Sequence, residues 1–178
     1  MRVLPTLKLI LAAVLIAALA VATDTSAQTR FHGAGAYGAR GTAGGGGYTT
    51  WSGDSTTHQG RHWANGANGG SFSGHNSYNS NPNGSAQANF SNSGHTASGG
   101  NLSSDGSYSR DAGGTWSGNS QSSGSGQHGS YATSTNTSNG VTTHTATATN
   151  ADGKTYSHSG SYTQGQGYSR SSSGPNGN

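Results

Sequence analysis

The chain has 178 residues and a formal net charge of +3; 28% of its residues are hydrophobic, 7% are charged and 32 are glycine. A globular domain carries roughly 45–50% apolar residues. A conventional aliphatic core is therefore excluded, and with it a catalytic site that needs a dry, rigid interior.

Residues 1–27 have the layout of a secretory signal. Arg2 and Lys8 precede the apolar run Leu9 to Ala22, and small residues follow up to Ala27. A basic start, an apolar stretch and a small-residue cut site define such leaders. Fourteen apolar residues fall short of the ~20 that span a bilayer, so cleavage near Ala27 and export to the periplasm or the extracellular space are expected. The absence of Cys closes both lipid attachment at the cut and disulfide stapling. Past Ala27 the only aliphatic side chains larger than alanine are Leu102 and Val141. The charges there are Arg30, Arg40, Arg61, Arg110, Lys154 and Arg170 against Asp54, Asp105, Asp111 and Asp152, six cations to four anions and a net +2.

Residues 28–50, with Gly44 to Gly47 in succession, read as a flexible Gly-rich segment. Gly44 to Gly47 is not a phosphate loop, since no Lys-Ser/Thr follows it. Residues 51–129 read as a Gly/Ser/Asn-rich low-complexity segment. Within it Thr50-Trp51-Ser52-Gly53 recurs as Thr115-Trp116-Ser117-Gly118, and Gly-Ser-Tyr triplets begin at Gly106, Gly129 and Gly160. Eight aromatics from Tyr48 to Tyr168 fall on multiples of six. Hexapeptide β-helices place aliphatic residues inward, so that spacing is given little weight. In its leader and its Gly, Ser and Asn content the chain is similar to curli-type secreted amyloid subunits; it lacks their regular repeat, and no residue role carries over.

Turn chemistry is the clearest local signal. Trp63-Ala64-Asn65-Gly66, Asn81-Pro82-Asn83-Gly84, Ser103-Ser104-Asp105-Gly106, Thr137-Ser138-Asn139-Gly140, Asn150-Ala151-Asp152-Gly153 and Gly174-Pro175-Asn176-Gly177 each end in Asn-Gly or Asp-Gly. Such tetrapeptides suit type I turns whose closing Gly takes a positive φ. Residues 130–163 carry this furthest. A loop of Ala151 to Gly153 sets Asn150 against Lys154, which aligns Ala148 with Tyr156, Ala146 with His158, His144 with Gly160 and Thr142 with Tyr162 on one side. On the other side Thr143, Thr145, Thr147 and Thr149 meet Ser161, Ser159, Ser157 and Thr155. The turn at Thr137–Gly140 adds a third strand over Tyr131–Asn136. Residues 130–163 are thus read as an antiparallel β-meander, its Thr-rich, uncharged edges open to pairing with another chain, and residues 164–178 as a flexible C-terminal tail.

Histidine is the enriched reactive residue. His58 and His62 are four apart, and the expected hairpin sets His144 and His158 on one face. These four are weak candidates for adventitious divalent metal, with no Cys or Glu to complete a specific site. With this much serine a match to a Ser-His-Asp triad carries no meaning without a packed scaffold to hold its geometry, and scattered cations make no phosphate-binding patch. The fold class expected is a low-complexity, largely disordered mature chain with an all-β tendency. The expected function is that of an exported, non-enzymatic structural, surface or extracellular-matrix protein that associates with itself or with surface and matrix components through β-strand edges. It has no cofactor, no nucleic-acid partner and no membrane association after cleavage. Two other readings of the same residues are a disordered histidine-bearing metal-buffering protein and an adhesive, carbohydrate-contacting protein that uses its exposed Tyr and Trp.

Overall fold

The computed structural model describes residues 27–175. The expected signal segment, apart from Ala27, and the end of the Gly174–Gly177 turn lie outside the described residues.

From Gln28 to Ser173 the chain is one antiparallel meander of eleven strands, paired strictly in chain order. The strands are β1 (Gln28–Gly38), β2 (Gly41–Ser52), β3 (Ser55–Gly66), β4 (Ser71–Ser80), β5 (Ala86–His95), β6 (Asn101–Arg110), β7 (Trp116–Gly126), β8 (Gly129–Ser138), β9 (Val141–Asn150), β10 (Thr155–Thr163) and β11 (Gly167–Ser173). Strands touch only their sequence neighbours. The molecule is therefore a single layer, with Ala86 its one buried hydrophobic residue among those described. No helix of the described residues is long and apolar enough to cross a membrane.

This corrects the expectation of a largely disordered chain. Residues 28–50 form β1 and most of β2, residues 51–129 hold five complete strands, and the tail from residue 164 supplies β11. The expectation weighed side-chain burial alone. Order here comes from a backbone ladder shared by every interior strand, and from side chains that pair across strands rather than into a core.

The hairpin over residues 141–163 has the register read from the sequence: Ala148 faces Tyr156, Ala146 faces His158, His144 faces Gly160 and Thr142 faces Tyr162. Its turn closes as expected, with Asn150 N–H donating to Lys154 O at 3.0 Å and Gly153 at φ +77°. The Thr137–Gly140 turn also exists. It is a two-residue loop with both Asn139 and Gly140 at positive φ, the type I′ form that matches strand twist.

Other turns correct the Asn-Gly/Asp-Gly reading. Five loops share one bond pattern, in which residue i donates to the carbonyl of i+4 and the N–H of i+3 donates back to i. They start at Gly66, Asn81, Thr96, Asp111 and Asn150. Thr96, Asp111 and Asn150 each cap the loop, a side-chain oxygen accepting from the N–H of Gly100, Thr115 and Lys154. The operative signal is thus Asn, Asp or Thr followed three residues later by Gly. Ser103-Ser104-Asp105-Gly106 lacks it and runs straight through β6. Trp63-Ala64-Asn65-Gly66 ends β3, and the reversal follows at Gly66–Gly70. The first four loop starts are fifteen residues apart, so ten-residue strands alternate with five-residue loops and the sheet grows at constant width.

The expected open edges also move. β8, β9 and β10 are interior, each paired on both sides, and the free edges are β1 and β11. Each edge strand is fully exposed and carries one charge, Arg30 or Arg170.

Candidate functional site: an aromatic face on a single-layer sheet

Alternation of side chains along each strand and the observed registers sort the residues onto two faces. From β4 to β11 one face is almost wholly hydroxyl and amide. Its serines and threonines bond across strands: Ser103 with Ser123 at 2.8 Å, Ser159 with Ser171 at 2.8 Å, and Thr149 with Thr155 at 2.9 Å. The other face holds nearly all the large apolar residues of that span.

On the aromatic face the large side chains fall into two rows that cross the strands. One row runs Phe72, Gly94, Leu102, Gly124, Tyr131, Ala148, Tyr156 from β4 to β10. Large residues come from even strands and Gly or Ala from odd ones. The second row runs Tyr78, Ala88, Tyr108, Gly118 and later Tyr162, Tyr168. The two rows are six residues apart along a strand, as in Phe72/Tyr78, Leu102/Tyr108 and Tyr156/Tyr162. That is roughly 20 Å at ~3.3 Å per residue. Within a strand the six-residue spacing therefore has a structural meaning: an even interval keeps side chains on one face, and a strand of about ten residues has room for two such positions, whereas Tyr48 of β2 lies on the opposite face.

Five of these rings, Phe72, Phe90, Tyr108, Tyr131 and Tyr168, lie over a glycine of an adjacent strand. A Cβ on Gly106 would stand 2.6 Å from Phe90 Cε1 and 2.7 Å from Ser120 Cβ; on Gly118, 2.7 Å from Tyr108 Cδ1; on Gly160, 2.9 Å from Tyr168 Cζ. Leu102 and Tyr131 meet over Gly124, where a Cβ would be 3.0 Å from each of Leu102 Cδ2 and Tyr131 Cζ. Tyr108 reaches across β7 to place its hydroxyl 2.8 Å from Ser120 Oγ. The rings bury glycine backbone on one side and stay open on the other: Phe72 is 39% exposed, Tyr131 42% and Tyr156 46%.

The two copies of the Thr-Trp-Ser-Gly repeat differ locally. Trp51 stands one residue before the end of β2 and a turn with Gly53 at φ +57°, whereas Trp116 opens β7. Both indoles face the aromatic side at the same end of the strands, and Arg110 stacks on Trp116 at 5.6 Å.

Of the metal candidates, His58 and His62 share the aromatic face of β3 but make separate contacts. His58 stacks on His32 of β1, with ring centroids 5.5 Å apart, and its Nδ1 is 2.8 Å from Thr49 Oγ1. His62 stacks on Phe72 and bonds Asn92 Oδ1 at 2.9 Å. His144 bonds Thr135 at 2.9 Å, and His158 lies on the neighbouring strand. Among the described residues no three His, Cys, Asp or Glu side chains converge. Burial, and secondly the adjacent His32, hold the His58 imidazole below its ordinary value of 6.5. The His32–His58 pairing is not legible in the sequence because it spans β2, across glycines expected to form a flexible segment.

In comparison with known proteins, no family model, curated protein or solved structure matches this chain.

Proposed function

We propose that the chain is exported and serves as a non-enzymatic structural component of a surface or extracellular matrix, associating with copies of itself through its strand edges. The carrying observation is the open single layer: β1 and β11 each present one unpaired side of backbone donors and acceptors, the arrangement that templates addition of another strand. The meander has an odd number of strands, so its two edges run in the same direction. Simple translation of a copy pairs β11 with β1 in parallel, whereas a two-fold axis pairs β11 with β11 or β1 with β1 antiparallel. The leader-like start of the chain supports export. No catalytic step enters this reading.

Far-UV circular dichroism of residues 28–178 from low to high micromolar concentration, fresh and aged, is the test. The expected outcome is a β signal that grows with concentration and time. A coil spectrum throughout removes the proposal; a concentration-independent β signal from a lasting monomer removes the self-association part.

A second reading, adhesion to carbohydrate, is favoured by the exposed rings of Phe72, Tyr131 and Tyr156, since sugar faces stack on such surfaces. A glycan pull-down with Trp51→Ala and Trp116→Ala tests it, and retention unchanged by both substitutions counts against it.

A further inference from the structure

A sheet with one buried hydrophobic residue leaves its apolar face in water, and large exposed apolar patches mark sites that are covered in use. We infer that the aromatic face is covered by the aromatic face of a second copy, giving a two-layer sandwich. This builds on the self-association reading but concerns the face, not the edges.

Three observations point to a second copy as the occupant. The first is size. The eight strands β4 to β11 at ~4.8 Å spacing and about ten residues at ~3.3 Å make an aromatic face on the order of 1,200 Å². A stable interface takes about 800 Å² per partner, so a copy covers the face with room to spare, whereas a single glycan chain covers a strip.

The second is relief. In the row Phe72, Leu102, Tyr131, Tyr156 the large side chains stand on even strands and Gly94, Gly124 and Ala148 lie between them. Two such faces offset by one strand, roughly 4.8 Å, set each large side chain over a small residue. Face-to-face sheets pack through this interdigitation at about 10 Å. A flat partner would leave the gaps over the small residues empty.

The third is charge. Arg30 and Arg170 on this face belong to the edge strands, and Arg110 sits at the end of β6, held by Trp116 and by its Nε donating to Gly84 O at 2.9 Å. Apart from Arg110 at the strand end, the strands from β2 to β10 carry no Lys, Arg, Asp or Glu on this face. An uncharged centre with a charged rim is the anatomy of a protein interface.

The test uses two tryptophans that the single copy exposes equally, Trp116 on the aromatic face and Trp63 on the opposite one, each 40% exposed. Two single-tryptophan chains are made, Trp51→Phe/Trp63→Phe and Trp51→Phe/Trp116→Phe. Each also carries Thr29→Lys and Ser171→Lys to block the edges, and sedimentation mass is measured with acrylamide quenching. The expected result is a dimer in which Trp116 is quenched several-fold less than Trp63. A dimer with both quenched alike overturns the inference. So does a β-structured monomer, including one in which Trp116 is shielded only on addition of a soluble β-glucan. Growth of the chain with unblocked edges is read separately, so failure of the face leaves the edge proposal standing and the reverse.

Discussion

From β4 to β11 the two faces of the sheet are built from the same backbone ladder yet hold it in different ways. On the hydroxyl face, neighbours such as Ser159 and Ser171 or Ser103 and Ser123 exchange one short bond per pair. Each such bond has water as a ready substitute, so its net worth is small. On the aromatic face several rings cover the bare backbone of a glycine next door, as Phe90 covers Gly106. That contact removes apolar surface from water and has no solvent substitute. Polarity therefore divides the labour: one side keeps the sheet wetted, the other gives it cohesion and a surface that is incomplete alone.

The sharpest way to break this contrast is to fill a ring's seat. Gly106→Val is expected to lift Phe90 and crowd Ser120, lowering stability by about 1–3 kcal/mol. Ser107→Val, the next residue on the hydroxyl face, is expected to stay within about 0.5 kcal/mol. Thermal melts followed by circular dichroism decide it, and equal losses would mean the faces are energetically alike.

A comparable loss is expected at the turn that serves both faces. Gly153 sits at φ +77°, a region a β-branched residue strongly resists. Gly153→Val is expected to cost about 1–3 kcal/mol, with the β9–β10 amides losing hydrogen-exchange protection first. Undiminished protection there would put the reversal elsewhere.

Polar contributions come next. Tyr108→Phe keeps the ring over Gly118 and removes its bond to Ser120, an expected loss of about 0.5–1.5 kcal/mol. Ser159→Ala with Ser171→Ala removes both partners of a ladder bond and is expected to be nearly neutral, because neither is left unsatisfied. A double-alanine chain that melts earlier than Tyr108→Phe would reverse the ranking of the faces.

The smallest effect is pH-dependent. The folded chain holds His58 below 6.5, so the unfolded chain takes up the proton first as pH falls. The stabilising contribution is complete above pH 6.5, declines as pH drops from 6.5 through the lowered folded value, and is level below it. His58→Gln is expected to flatten that part of the stability-against-pH curve. A curve unchanged by the substitution would assign the dependence to another histidine.

Legibility in the sequence followed the range of the interaction. The β9–β10 register was readable because a loop with Asp152-Gly153 pins it and a Thr/Ser alternation extends it on either side. The turns at Thr96–Gly100 and Asp111–Thr115 were missed because their capping side chain stands four residues before the N–H it accepts from, outside an Asn-Gly or Asp-Gly window. Gly44 to Gly47 was misread for a different reason. In isolation four glycines favour disorder, but in β2 they lie between two paired strands, where Gly44 receives the Trp63 ring and Gly45 and Gly47 stand opposite His62 and Gly60. The histidine contacts were equally out of reach, since His32 and His58 are brought together only by three strands in register.

What the sequence determined by itself is local: strand alternation, loop residues that tolerate positive φ, the lack of a core and the six-residue interval between aromatics. Each depends on neighbours within a few residues, where backbone sterics and side-chain chemistry act without help. What only the tertiary structure decided is collective: that all eleven strands join one sheet, that the edges fall at β1 and β11, and that the rings of β4 to β11 gather on one face. Those outcomes rest on registers that accumulate from strand to strand, since directly paired residues always share a face of the sheet.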